Sequence, residues 1–118
     1  MKLFNYSSHT QKKIFSDFEN QMAAVQAVAQ GSVQELDMMA TKAKAIGAAS
    51  SYTATEIASG MELLARAGFR TQEILSGIGG VAAAAAADAM PMARAAEVIG
   101  TTIRGMGLQA KDMQRNPR

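Results

Sequence analysis

Residues able to carry out chemistry are few in this sequence, and their spacing does not assemble a site. His9 is the only histidine, and the chain contains no cysteine. The lack of thiols excludes disulfides, thiol catalysis and zinc–thiolate sites, so a transition metal would have to rely on carboxylates. A single histidine in a polar stretch is in most cases a surface residue. We therefore predict no metal site.

The carboxylates are scattered along the chain. Three of them, Glu35, Glu56 and Glu73, lie at predicted helix starts, where they already have a structural explanation. The others are Asp17, Glu19, Asp37, Glu62, Asp88, Glu97 and Asp112. None is paired at a spacing that requires a general acid and a general base. We predict a protein without catalytic residues, without a cofactor and without a small-molecule substrate.

Residues 77–82 read Gly-Ile-Gly-Gly-Val-Ala, which matches the dinucleotide-binding signature G-x-G-x-x-G/A. That signature works only after a β-strand, where the glycines turn the chain into a helix whose N-terminus binds pyrophosphate. The residues before Gly77 have a helical pattern instead. We therefore expect the glycines to produce a break or kink, or a close contact between helices.

The charge distribution favours neither nucleic acid nor a membrane as partner. The net charge is +2, and the basic excess lies at the two ends without interleaved aromatic residues, which is weak evidence for nucleic-acid binding. The basic residues concerned are Lys2, Lys12, Lys13, Arg104, Lys111, Arg115 and Arg118. The most apolar stretch, residues 74–87, is shorter than the roughly 20 residues of a membrane span.

The best-delimited element lies within residues 47–69. Thr53 and Glu56 form the capping box Thr-x-x-Glu at its start, and Gly68 suits a left-handed residue after its end. Between them runs one apolar stripe at helical spacing, formed by Ile57, Met61, Leu64 and Ala65. This stretch predicts a helix that is buried on one side.

Four further helices are predicted from the same kinds of signal. The first has an apolar face of Ile14, Phe18, Met22, Val25 and Ala29 and ends near Gly31. The second opens with a Ser32–Glu35 capping box, buries Leu36, Met39, Ala43 and Ile46, and is closed by Gly47. The fourth has Thr71 as its N-cap. The fifth has Pro91 at its first position, an apolar side of Ala95, Ala96, Ile99, Ile103 and Met106, and Gly107 as its cap.

These elements define an all-α fold of about five short helices, since no run of residues alternates like a strand. Short links place successive helices side by side, so a bundle is the first choice. An extended helical array completed by other chains is the second, because many faces carry only alanine. We expect residues 1–13 to be a flexible lead-in, residues 14–107 the helical domain, and residues 108–118 a truncated or disordered tail.

The chain resembles the N-terminal region of phage tail tape measure proteins, over about residues 14–113. The most specific pattern is T-x-x-E, then GM-x-x-LA-x-AG-[FW]-x-T-x-x-I-L. It is matched by Thr53, Glu56, Gly60, Met61, Leu64, Ala65, Ala67, Gly68, Phe69, Thr71, Ile74 and Leu75. Leu36, Ala43 and Gly47 match the preceding helix of the family.

The resemblance implies a structural role in a phage or prophage tail. Such proteins occupy the tail lumen, set tail length during assembly and leave during DNA ejection. They work in several copies with tail assembly chaperones and tail tube or tip proteins, which implies self-association. They are several-fold longer than 118 residues, so we interpret the chain as a fragment or a truncated prophage copy that does not measure length alone. The alternative is a free-standing helical adaptor or chaperone-like module that binds a partner helix.

Overall fold

Five helices and short links make up the part of the chain that the structure describes. The computed structural model describes the backbone of residues 2–107 and the side chains of residues 12–107. The helices are α1 (Lys2–Ala29), α2 (Val33–Ala49), α3 (Ala54–Arg66), α4 (Thr71–Ala87) and α5 (Met92–Met106). Residues 2–107 contain no strand, and the predicted all-α class is confirmed. The predicted tail, residues 108–118, lies outside the described residues.

Helix α3 is the centre of the bundle, because each of the other four helices packs against it. The apolar stripe predicted for it is buried in full, with Ile57, Met61 and Leu64 completely inaccessible to solvent. Ala58 and Gly60 are buried as well, since α3 is covered on more than one side. Small residues at these positions let the neighbouring backbones approach closely.

Helix α1 starts at Lys2, so the backbone of residues 2–13 is helical where the sequence suggested a lead-in. The division of the chain at residue 13 stays a prediction. The apolar face of α1 is buried only from Phe18 onward, and Ile14 is 56% exposed. The physical reason is length: α1 has 28 residues and α3 has 13, so α3 can cover only part of it. Met106, the last residue of α5, is likewise exposed rather than buried.

The expected break at the glycines of residues 77–80 does not occur, because α4 runs without interruption through them. Each glycine within a helix costs about 1 kcal/mol relative to alanine. Here tertiary packing outweighs that cost, since Ile74, Ile78 and Val81 are completely buried on the face that packs inward. Gly77 and Gly80 are buried on the same helix. The close helix contact that the sequence offered as the alternative stays a prediction.

Three predicted helix boundaries are shifted by one or more residues. Helix α2 continues past Gly47 to Ala49, and Arg70, not Thr71, is the N-cap of α4. Pro91 is the N-cap of α5 and not its first residue. The shift at Gly47 has a packing cause, because a Cβ atom there would lie 2.7 Å from the backbone nitrogen of Ala54. The glycine allows α2 to pass the start of α3.

None of the described helices alone is long and apolar enough to cross a bilayer. Helices α4 and α5 have the length and composition of a span only when taken together, and they are bent by 118° relative to each other.

The contact at Gly47 yields a stability prediction. Gly47→Ala should destabilise the fold by about 1–3 kcal/mol, because the added methyl group meets backbone that cannot move without shifting α3. Gly105→Ala is the matched control: a Cβ atom there meets nothing within 4 Å, so helix propensity should stabilise that variant by about 0.5–1 kcal/mol. Urea denaturation followed by circular dichroism measures both. Equal free energies of unfolding for the two variants would contradict the packing role of Gly47.

Candidate functional site

Six residues of the family-like pattern, from Leu64 to Thr71, lie where α3 ends and α4 begins. We call residues 64–71 the α3–α4 joint. Gly68 has a φ of +99°, a left-handed conformation that favours glycine. Its N–H donates to the carbonyl oxygen of Ala65 at 3.0 Å, and the N–H of Phe69 donates to that of Leu64 at 3.1 Å. These two bonds form a Schellman motif, with buried Leu64 and Phe69 making its hydrophobic pair.

Phe69 and Arg104 connect the joint to α5. The Phe69 ring is buried, and the Arg104 guanidinium carbon lies 4.0 Å from the ring centroid. The same guanidinium donates to the carbonyl oxygen of Gly68 at 2.8 Å and lies 3.6 Å from a carboxylate oxygen of Glu73. Gly100 admits this arrangement, since a Cβ atom there would be 3.1 Å from Leu64 Cδ2. The contacts of Arg104 therefore link α3, α4 and α5 at the joint.

Helix α3 is also fixed at its start. The predicted capping box is present: the Glu56 N–H donates to Thr53 Oγ1 at 3.0 Å, and the Thr53 N–H donates to Glu56 Oε1 at 2.8 Å. Gly60 follows one turn later, where a Cβ atom would lie 3.1 Å from Met92 Cε. The glycine in the family-like pattern thus brings α5 close to α3.

Glu35 connects α2 to the first turn of α4. Its Oε1 accepts from the Ser32 N–H at 2.9 Å, completing the predicted capping box, and its Oε2 accepts from Gln72 Nε2 at 3.4 Å. The backbone hydrogen bond from Ser32, followed by side-chain hydrogen bonds from Thr71 and Gln72, lowers the pKa of the Glu35 carboxyl. Thr71 is therefore a buried bonding partner of Glu35, where the sequence suggested an N-cap.

The carboxylate of Glu62 forms hydrogen bonds within α3 and to α1. Glu62 accepts from Arg66 at 2.6 Å and from Gln21 of α1 at 2.7 Å. The hydrogen bond from Arg66 contributes most to lowering the pKa of Glu62, and that from Gln21 adds to it. The sequence holds a signal for the first contact, because a glutamate four residues before an arginine is a favourable helix pair. Nothing local indicates the second, which joins residues 41 positions apart.

The residues considered for chemistry are not brought together. His9 lies outside the described side chains, and in the described part no group of three or more potential ligands is placed to hold a metal ion. The glycines of residues 77–82 are preceded by helix, as expected, and not by a strand. The absence of site residues remains a prediction.

Two apolar grooves flank α2 on the outer surface. The α1–α2 groove has a volume of about 400 Å³ and is lined by Phe15, Phe18, Glu19, Met22, Ala23, Gln26, Val33, Leu36, Asp37, Ala40 and Lys44. The α2–α4 groove, of about 520 Å³, is lined by Asp37, Met38, Thr41, Lys42, Ala45, Gln72, Leu75 and Ser76. Shallow apolar grooves between helices are suited to a partner helix.

The fold and the joint define a small helical bundle whose pattern residues serve packing. The sequence matches the family model described as phage-related minor tail protein over residues 40–116. A tape measure protein of Pneumococcus phage Dp-1 is 39% identical over 98 residues, which are 83% of this chain and 8% of that protein. No solved structure matches the chain.

The chain belongs to the phage-related minor tail protein family, and its resemblance to tape measure proteins is confirmed. It spans only a small part of the relative's length. The matched residues include α3, the joint and α4, so the joint and the Thr53–Glu56 capping box fall within the region shared with the family.

Arg104 provides a test of the joint. Arg104→Lys should destabilise the fold by about 0.5–1.5 kcal/mol, because an ammonium group cannot stack on Phe69 and donate in a planar fork at once. Arg94→Lys is the matched control, as Arg94 is exposed on the same helix and should tolerate the change. Denaturant unfolding measures the stability of both variants. An equal loss of stability for the two substitutions would contradict the role of Arg104 in the joint.

Glu35 provides a pH-dependent test. Because its folded pKa lies below the ordinary 4.5, its ionised form stabilises the fold above about pH 4.5, and this contribution is lost as pH falls through the folded value. Glu35→Gln should therefore be less stable than the unmodified chain at pH 7, with the difference shrinking toward pH 3.

Glu56→Gln is the control for this experiment, since Glu56 occupies the same capping-box position on α3 without a described side-chain bond to another helix. Urea unfolding at several pH values measures the difference for each variant. A pH-independent loss for Glu35→Gln, or an equal pH dependence for both variants, would contradict the role of the α2–α4 bonds.

Proposed function

We propose that this chain is a structural module of a phage or prophage tail tape measure protein, and that the full protein acts in tail assembly and length determination. The observation that carries the proposal is the 39% identity to the Dp-1 tape measure protein over 98 residues. The pattern residues of the joint support it as well, because their packing and backbone hydrogen bonds suit a structural module. The module would reside in the virion tail after assembly in the bacterial cytoplasm.

The dimensions of the bundle suggest what the module contributes. Its longest axis is 53 Å, whereas one continuous helix of 118 residues would span about 180 Å at 1.5 Å per residue. Folded in this way, the segment adds little length for its number of residues. We therefore propose that it organises an attachment or assembly step, while extended helical segments of the full protein set the length.

The proposed partners are proteins of the assembling tail. The two grooves beside α2 are apolar and lie between helices, which suits amphipathic helices of tail assembly chaperones, of tube or tip proteins, or of other copies of the same protein. Family membership favours this setting over the free-standing adaptor that the sequence alone left open.

A segment exchange in phage Dp-1 tests the proposal. Replacing the aligned region of its tape measure gene by the matching residues of this chain should preserve infectious particles with tails of unchanged length. The same exchange carrying Leu64→Asp should lower the titre at least tenfold, because an unpaired charge in the core costs several kcal/mol. Glu97→Gln, at an exposed position of α5, is the control for a neutral change.

Plaque titre and electron microscopy of tails give the result. Dp-1 particles of normal titre and tail length after deletion of the whole aligned region would contradict the assembly role. Normal particles from the Leu64→Asp exchange would show that the folded bundle is not what the tail requires.

A further inference from the structure

The α1–α2 groove exists because its two helices pack mainly against α3 and only sparsely against each other. Residues 30–32 link them, and Lys44 Nζ lies 5.4 Å from the centroid of the Phe18 ring, so the helices run antiparallel along the groove. Its α1 wall extends from Phe15 to Gln26, which is three turns of helix or about 16 Å. The groove therefore has the length of a short helix.

Apolar side chains along this groove remain uncovered. Met22, Leu36 and Ala40 line it and are partly buried against the core. At its two ends, Phe15 is 64% exposed and Val33 is 82% exposed. A contiguous apolar surface of this kind is typical of a site that meets a partner.

The charges on the walls of the groove are mainly negative. Glu19 on α1 and Asp37 on α2 line it and are exposed. Among the described residues, neither carboxylate forms an ion pair or a side-chain hydrogen bond. The lysine among the lining residues, Lys44, lies over the Phe18 ring, whose face attracts its charge. Two unpaired carboxylates therefore border the apolar surface.

An occupant that covers this apolar surface must also meet the two carboxylates. An acidic helix would place like charges beside them, and a neutral helix would leave them without a partner where water is partly excluded. A helix with an apolar stripe and with lysine or arginine on both sides of it covers the apolar side chains and pairs both carboxylates. Charge complementarity therefore favours a basic amphipathic helix.

We propose that the α1–α2 groove binds a basic amphipathic helix of another tail protein, with Glu19 and Asp37 pairing with the cations that flank its apolar stripe. The proposal rests on the proposed function for its setting and deepens it by giving the chemistry of the partner. Its test contains no phage component, so the groove can fail while the tape measure assignment stands. The segment exchange in phage Dp-1 tests that assignment separately.

Two designed peptides of about 16 residues, four turns of helix, serve as probes. Both carry leucine at the a and d positions, and the flanking e and g positions hold lysine in one peptide and glutamate in the other. Fluorescence anisotropy with the full chain should give a dissociation constant about three- to tenfold lower for the lysine peptide, since each exposed ion pair contributes modestly. The net charge of the chain, +2, would by itself favour the glutamate peptide, so this preference reports the charges of the groove.

Charge reversal locates the preference. Glu19→Lys should raise the dissociation constant of the lysine peptide and lower that of the glutamate peptide, by about two- to tenfold each. Glu97→Lys is the matched control, because Glu97 is exposed on α5 and its replacement changes the net charge by the same amount. Equal shifts for the two variants would reflect net charge alone and would overturn the proposal.

Serine substitutions separate the two grooves beside α2. Val33→Ser should raise the dissociation constant of the lysine peptide by about three- to tenfold, because an apolar contact is lost. Met38→Ser should leave it unchanged, since Met38 is 51% exposed in the α2–α4 groove. An effect of Met38→Ser as large as that of Val33→Ser would overturn the assignment to the α1–α2 groove. Circular dichroism confirms that each variant is folded.

The outcomes distinguish this partner from other occupants of the groove. Equal affinity for the two peptides, tighter binding of the glutamate peptide, or no binding of either up to about 1 mM overturns the proposal. A dimer of the unmodified chain that Val33→Ser dissociates, measured by sedimentation equilibrium, also overturns it, because a second copy then fills the groove. A preference for the lysine peptide that Glu19→Lys reverses and Val33→Ser weakens supports it.

Discussion

The fold depends on one constraint, the enclosure of a 13-residue helix by four others. A helix packed on several sides cannot carry large side chains all round, because the surrounding backbones must come within packing distance. Helix α3 meets this constraint with Ala58, Gly60 and Ala65 between its larger apolar residues. Gly47 and Gly100 meet it from the neighbouring helices, where a Cβ atom would come within 2.7 Å and 3.1 Å of atoms of or near α3. It was therefore easier to predict which residues form helices than to predict how closely those helices approach one another.

The contrast between α3 and α4 shows how far the sequence could be interpreted. Every signal for α3 is local: a capping box, an apolar stripe and a left-handed glycine within about one helix length. Its prediction is confirmed in detail. For α4 the local signal pointed to a break at the glycines, and tertiary packing of Ile74, Ile78 and Val81 overrode it. Local rules cannot show which helix face a distant neighbour will cover.

The joint shows the same limit at the level of single residues. Phe69 is buried at the joint. Its contact with Arg104 joins residues 35 positions apart in sequence, and no motif indicates it. The hydrogen bond from Gln72 to Glu35 likewise joins distant residues, 37 positions apart. Such contacts follow from the relative placement of helices, which depends on the sum of all packing interactions.

The residues of the family-like pattern serve packing. Sequence similarity at these positions therefore identifies the protein family but indicates no reaction. Gly60 is required by the close approach of Met92, and Gly68 by its left-handed backbone. Phe69 is required by the contact of its ring with the Arg104 guanidinium. These constraints belong to the bundle and would hold whatever partner it meets. What can differ between relatives without disturbing the bundle is the outer surface of α1 and α2, where apolar side chains remain uncovered. We therefore expect the residues that determine partner specificity to lie on that surface. The family-like pattern reflects only the packed bundle that supports it.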